Sequence, residues 1–230
     1  MNETAIRTDT SLPVPAFPIY TKSERRVDFG VHVSGLIFVA IGVPIILVMG
    51  LERANLPVAI GLPLYAVGLV MMISFSALYN IVERPDWKEI LRRLDHSGIF
   101  LMIAGSYSPF ALVKIGGPWG VGLFAFVWSC AILGVVAATV FPRRADRMIV
   151  ILCLFMGWSI VFAINPLVHA VSTTTLVLLT VGGLTYTIGV FFHMAERLPY
   201  HNAVWHIFVL AAAGLHYAAV VNAIVINPPA

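Results

Sequence analysis

Apolar residues recur along the chain in seven stretches, at approximately 31–51, 58–82, 97–113, 119–140, 148–164, 171–192 and 202–226. A helix needs roughly 20 such residues to cross a bilayer core of about 30 Å, and each stretch meets that length within the usual slack. Between them stand residues that wet or break a helix: Arg53-Ala54-Asn55-Leu56-Pro57, Glu83-Arg84-Pro85-Asp86, Gly116-Gly117-Pro118, Phe141-Pro142-Arg143-Arg144, Asn165-Pro166 and Arg197-Leu198-Pro199. Glycine and proline also occur inside the stretches (Pro44, Pro63, Gly105, Pro109, Gly182-Gly183). Neighbouring helices can satisfy the backbone groups they free. The pattern predicts an all-α, polytopic membrane protein, with an N-terminal segment over 1–27 and a seven-helix membrane domain over 28–230. No internal repeat stands out.

Composition agrees. The chain is 60% hydrophobic and only 11% charged, against about 45–50% and about 25% in a soluble domain, so a water-soluble globule is excluded. Cys130 and Cys153 both fall inside apolar stretches and imply no disulfide framework. Charge sets the direction. With alternating loops, one side collects Arg7, Lys22, Arg25, Arg26, Arg84, Lys88, Arg92, Arg93, Arg143, Arg144, Arg147 and Arg197, which is 12 of the 14 basic residues; Arg53 and Lys114 fall on the other. The positive-inside rule predicts a cytoplasmic N-terminus and an outer C-terminus. This use of basic residues accounts for the net charge of +3 without a nucleic-acid partner.

That topology narrows the function. A rhodopsin-like receptor has the opposite orientation, and a retinal protein needs a lysine in its last helix, where 202–226 has none. Asp95 reads as the only acidic residue at the edge of a span, which weighs against an ion-coupled relay. Ser76 and Asn80 fall in the last turns of the second span, Asp95 and His96 in the first turn of the third, and Asn202 and His206 at the start of the seventh. Ser76/Asn80 and Asn202/His206 are i, i+4 pairs, so each pair shares a helix face. At 1.5 Å rise per residue these groups come within a slab roughly 10 Å deep, where polar side chains are functional candidates by default. Each also has a plainer reading: Asp95 as a helix cap paired to Arg92 or Arg93, Ser76 bonded to its own backbone, Asn80 and Asn202 as interhelical glue. His216 is either buried glue or a cofactor ligand. His32, His169 and His193 read as wetted residues near the membrane edges.

The local strings are familiar. Ser76-Ala77-Leu78-Tyr79-Asn80 resembles the Ser-x-x-Tyr-His element of the hemolysin III family, the bacterial branch of the progestin and adipoQ receptor (PAQR) superfamily. Leu94-Asp95-His96-Ser97-Gly98 followed by Gly105-Ser106-Tyr107-Ser108-Pro109-Phe110 resembles its third-helix signature. Gly182-Gly183-Leu184-Thr185-Tyr186 and Pro199-Tyr200-His201-Asn202-Ala203-Val204-Trp205-His206 resemble its sixth and seventh helices. The resemblance implies a zinc ion near the cytoplasmic face, held by a histidine of the second helix and two of the seventh. Matched by motif, these metal positions are Asn80, Asn202 and His206, with Asp95 and Ser76 in the catalytic positions that hold a water.

Two of the three imidazoles are therefore carboxamides. An amide oxygen is a weak neutral donor, whereas zinc prefers imidazole or thiolate, so such a site should hold zinc poorly. His201 is five residues from His206, about 140° around a helix, and would need an irregular first turn to replace Asn202. Three functions follow as expectations. The first is a lipid-binding or signalling protein that keeps the helix-bundle cavity as a hydrogen-bonded network. The second is a metal-dependent hydrolase of a lipid amide or ester, ceramidase-like, with Asp95 as base and Ser76 orienting. The third is a haem-binding electron-transfer protein using His206 and His216. The expected location is a bacterial inner membrane, and the expected partners are membrane lipids.

Overall fold

The computed structural model describes residues 20–52, 55–140 and 146–228. The break points expected at Arg53-Ala54 and at Phe141–Arg144, and Arg7 of the N-terminal segment, lie outside the described residues. No strand occurs among those described. Helices α1 (Lys22–Leu51), α2 (Leu56–Ile81), α3 (Pro85–Pro109), α4 (Gly117–Val140), α5 (Asp146–Trp158), α6 (Ile164–Ala170), α7 (Thr173–Met194) and α8 (His201–Val220) make seven spans. The fifth span is α5 and α6 joined by a 3₁₀ segment, Ser159–Ala163. The third and seventh end in π-helical turns, Phe110–Ile115 and Val221–Ile226.

Local chemistry sets the ends. Thr21 and Glu24 form a capping box: the Thr21 hydroxyl accepts from the Glu24 N–H at 3.2 Å, and the Glu24 carboxylate accepts from the Thr21 N–H at 2.8 Å. The Asn55 side chain caps α2 by accepting from Val58 N–H at 3.1 Å, Pro85 opens α3, and Ser172 caps α7. Gly116 and Gly117, with φ of 60° and 55°, make the left-handed turn into α4.

Two boundaries differ from the sequence reading. Helix α3 begins at Pro85, so Asp95 and His96 lie about three turns inside it, and Asp95 caps nothing. Nor does Asn165-Pro166 end the fifth span. Pro166 falls in the first turn of α6, where a missing N–H leaves no helical bond unmade. The 3₁₀ segment before it is held by a side chain from another helix. The Tyr107 hydroxyl accepts from Ile160 N–H at 2.9 Å and donates to the Gly157 carbonyl at 2.7 Å.

Spans two and three pack backbone to backbone. A Cβ built on Gly68 would stand 2.8 Å from the Leu101 carbonyl oxygen, and one on Gly105 would stand 2.8 Å from that of Leu64. Lipid tails give helices no hydrophobic reason to associate, so close approach at small residues supplies the contact instead. One core, including Ile46, Leu62, Leu69 and Val220, joins α1, α2 and α8; a second, including Phe100, Val127, Ile149 and Met156, joins α3, α4 and α5. Large apolar side chains such as Ile41, Ile132, Phe155, Phe162 and Phe191 face outward. On seven helices of this length and hydropathy, that outer face is the lipid-contacting surface of an integral membrane protein.

Replacing Gly68 or Gly105 with Val forces α2 and α3 apart. Each variant is expected to lose about 1–3 kcal/mol of stability in denaturant unfolding in micelles. Gly122→Ala, at a site with nothing within 4 Å, should match the parent.

Candidate metal centre and cavity

Three helices each contribute an i, i+4 pair to one polar cluster near the end of the bundle where α1 begins. Asp28 and His32 come from α1, Ser76 and Asn80 from α2, and Asn202 and His206 from α8. Asp28, His32 and His206 are buried, at 8%, 5% and 8% exposure. A carboxylate so placed must be paired or hydrogen-bonded, and it is. His206 Nδ1 lies 2.6 Å from Asp28 Oδ1, and Asn202 Nδ2 donates to Asp28 Oδ2 at 3.2 Å.

Acceptor chemistry fixes the tautomers. His32 Nδ1 lies 2.8 Å from the Asp28 main-chain oxygen, which can only accept, so that nitrogen carries the proton. His206 Nδ1 faces a carboxylate oxygen and donates likewise. Both Nε2 atoms are then bare in the neutral rings, and both turn towards one hydroxyl: Ser76 Oγ is 3.4 Å from His32 Nε2 and 3.5 Å from His206 Nε2. The rings meet edge to face, centroids 4.4 Å apart. Ligand atoms of Asp28, His32 and His206 all lie within 4.8 Å of one another, a set that could hold a metal ion. Two imidazoles and a carboxylate fit a divalent zinc-like ion.

The expected residues fall as follows. Ser76, Asn80, Asn202 and His206 do come together. Asn80 and Asn202 are bonded to each other, Asn202 Nδ2 donating to Asn80 Oδ1 at 3.1 Å, and Asn80 Nδ2 donates to the Ser76 carbonyl at 2.9 Å. Ser76 stands within reach of both imidazoles and donates its one proton to either. Asp95 lines the adjoining cavity. His201 stands beside Tyr20, with ring centroids 5.8 Å apart and its Nδ1 buried without a partner. His216 bonds the Ala212 carbonyl at 3.0 Å, and His169 is exposed.

Asp28 and His32 are what the sequence reading missed. His32 is no wetted edge residue, and Asp95 is not the only acidic residue at a span edge. Both misplacements come from starting the first helix at residue 31. The Thr21-x-x-Glu24 box, legible in the sequence, starts it at Lys22 and carries Asp28 and His32 inside on one face.

The loop before α8 is strapped to α1. Tyr200, at φ 60°, donates its N–H to Glu24 at 2.9 Å, and its hydroxyl lies 2.8 Å from Ser23 Oγ. Arg25 and Glu83 pair between α1 and the end of α2. Beside them, burial pushes the Tyr20 phenol above its ordinary pKa, with Tyr79 and the nearby carboxylates adding to the rise. A cavity of about 1270 Å³ runs from this end, past Ser76 and His206, into the bundle between the second, third, fifth, sixth and seventh spans. Its deeper wall is mostly apolar, with Met72, Ile103, Ile160, Leu179 and Leu210.

Asp28→Ala leaves the His206 Nδ1–H and an Asn202 N–H without their acceptor. A loss of about 1–3 kcal/mol is expected in unfolding measurements in micelles, whereas exposed Glu52→Gln should stay within about 0.5 kcal/mol of the parent.

The Haemolysin-III related family model matches residues 21–217. Hemolysin-3 of Bacillus cereus is 32% identical over 189 residues, covering 82% of this chain and 86% of that protein. The Hemolysin-3 homolog of Bacillus subtilis (strain 168) is 31% identical over 205 residues, covering 88% and 95%. Monocyte to macrophage differentiation factor of Homo sapiens is 29% identical over 166 residues, covering 68% and 67%, so the likeness extends to the wider superfamily. With the seven-span bundle and its polar cluster, these matches establish that the chain belongs to the hemolysin III family.

Proposed function

We propose that this chain is a lipid-binding protein of a bacterial inner membrane, and that its α1–α2–α8 cluster holds a divalent ion, zinc by donor type. The observation that carries the reading is one continuous space, polar at the cluster and apolar beyond it. An amphiphile has that polarity: its head would lie against Ser76, Asn80 and His206, and its tail among Met72, Ile103 and Leu179. The N-terminus and the basic loops would face the cytoplasm, placing the cluster near the inner leaflet. In this reading Asp28 and His32 of α1 take over from the carboxamides at positions 80 and 202.

Hydrolysis of a lipid amide or ester is a second reading, favoured by the Ser76 hydroxyl held between two bare imidazole nitrogens at the polar end of the cavity. A bound divalent ion supplies Lewis acidity and an acidified water. The chain's own groups do the rest. Asp28 fixes the tautomer and orientation of His206, Ser76 places one proton between the two imidazoles, and Asp95 stands on the cavity wall as the candidate base.

Elemental analysis of micelle-purified protein tests the ligand set. About one zinc per chain is expected in the parent, with His32→Ala and His206→Ala reduced to background. Asn80→Ala should retain the metal. Zinc that survives His32→Ala but is lost from Asn80→Ala and Asn202→Ala would return the ion to the Asn80, Asn202 and His206 positions. Metal-free parent protein would leave a hydrogen-bonded cluster with no ion.

A further inference from the structure

A second polar layer crosses the bundle farther along the same cavity. On α8, His216 follows His206 by ten residues, about 15 Å along the axis. On α7, Tyr186 stands beside it, ring centroids 5.6 Å apart. Both line the cavity in a stretch otherwise walled by groups such as Leu179, Gly183 and Leu210. The Tyr186 hydroxyl is buried and has no hydrogen-bond partner. A polar group sealed from water normally finds one, and mid-bilayer no solvent can supply it.

His216 completes the site. Its Nδ1 donates to the Ala212 carbonyl at 3.0 Å, which leaves Nε2 bare and without a partner among the described residues. The imidazole lies directly on the α7 backbone: a Cβ on Gly182 would fall 2.5 Å from His216 Cε1 and Nδ1. The glycine there makes room for the ring and holds it beside Tyr186. One phenol ring, whose hydroxyl can donate or accept, thus stands beside an imidazole with one fixed acceptor nitrogen.

We propose that Tyr186 and His216 form a subsite for an oxygen-bearing group partway along the ligand's hydrocarbon chain, so that the cavity prefers a lipid hydroxylated in mid-chain. A hydroxyl is the complementary group. It can donate to His216 Nε2 and accept from the Tyr186 O–H at once, whereas a plain methylene leaves both unmade. This inference rests on the lipid-binding reading and adds a specificity to it. The subsite takes no part in the metal cluster.

The test is a competition-binding measurement on the full chain in micelles, with stearoyl ethanolamide against its mid-chain hydroxylated analogue. The readout is the ratio of the two affinities. The parent is expected to prefer the hydroxylated amide by roughly five- to thirtyfold, the worth of one or two net hydrogen bonds. Tyr186→Phe, which removes only the oxygen, should lower the ratio, His216→Leu should lower it likewise, and the double variant should bring it close to one. Equal binding by the parent, or a preference undiminished in Tyr186→Phe and in His216→Leu, overturns the subsite while leaving the lipid-binding reading intact. Binding of neither amide overturns both.

Discussion

A carboxylate buried at the end of an apolar bundle is the constraint around which the rest of the site is arranged. Asp28 cannot sit at 8% exposure unless its oxygens are satisfied, and its neighbours are chosen accordingly. His206 and Asn202 of α8 take the carboxylate, while the Asp28 main-chain carbonyl takes His32 one turn on. These bonds pin α1 to α8 and fix which nitrogen of each ring carries the proton. They also leave two lone pairs facing Ser76 of α2. Three helices are thereby tied at one level by a handful of polar atoms.

The carboxamides acquire a physical role in this setting. As asparagines, the two form a chain running from the Ser76 carbonyl through Asn80 and Asn202 to the carboxylate. The candidate metal set is Asp28, His32 and His206, and the two asparagines support Asp28 within it.

Seven spans were legible because a helix that crosses lipid must advertise itself through a long apolar run. Family membership was legible for a different reason: the strings around Ser76, Asp95, Gly182 and His206 survive as words. What the apolar run cannot show is where a helix continues beyond the lipid-facing stretch. Helix α1 extends two turns before residue 31 on the strength of a Thr21–Glu24 cap, and α3 begins with twelve polar-rich residues after Pro85. Those turns hold Asp28, and hydropathy reads them as loop. Pro166 misled for the related reason that a proline at a helix start and one at a helix end look alike in sequence. The chain runs on through the fifth span, where the Tyr107 hydroxyl of another span holds the 3₁₀ segment before Pro166.

The glycine contacts between α2 and α3 give the cavity walls unequal stiffness. Where main chain touches main chain, no side chain remains to rotate aside, so the flank formed by the second and third spans behaves as an anvil. The opposite flank includes the interrupted fifth span, joined to α7 by the Trp158–Thr187 hydrogen bond and otherwise facing it across soft aliphatic surface. The space between them is therefore bounded by main chain on one side and by rotatable side chains on the other, so its shape is set chiefly by the second and third spans.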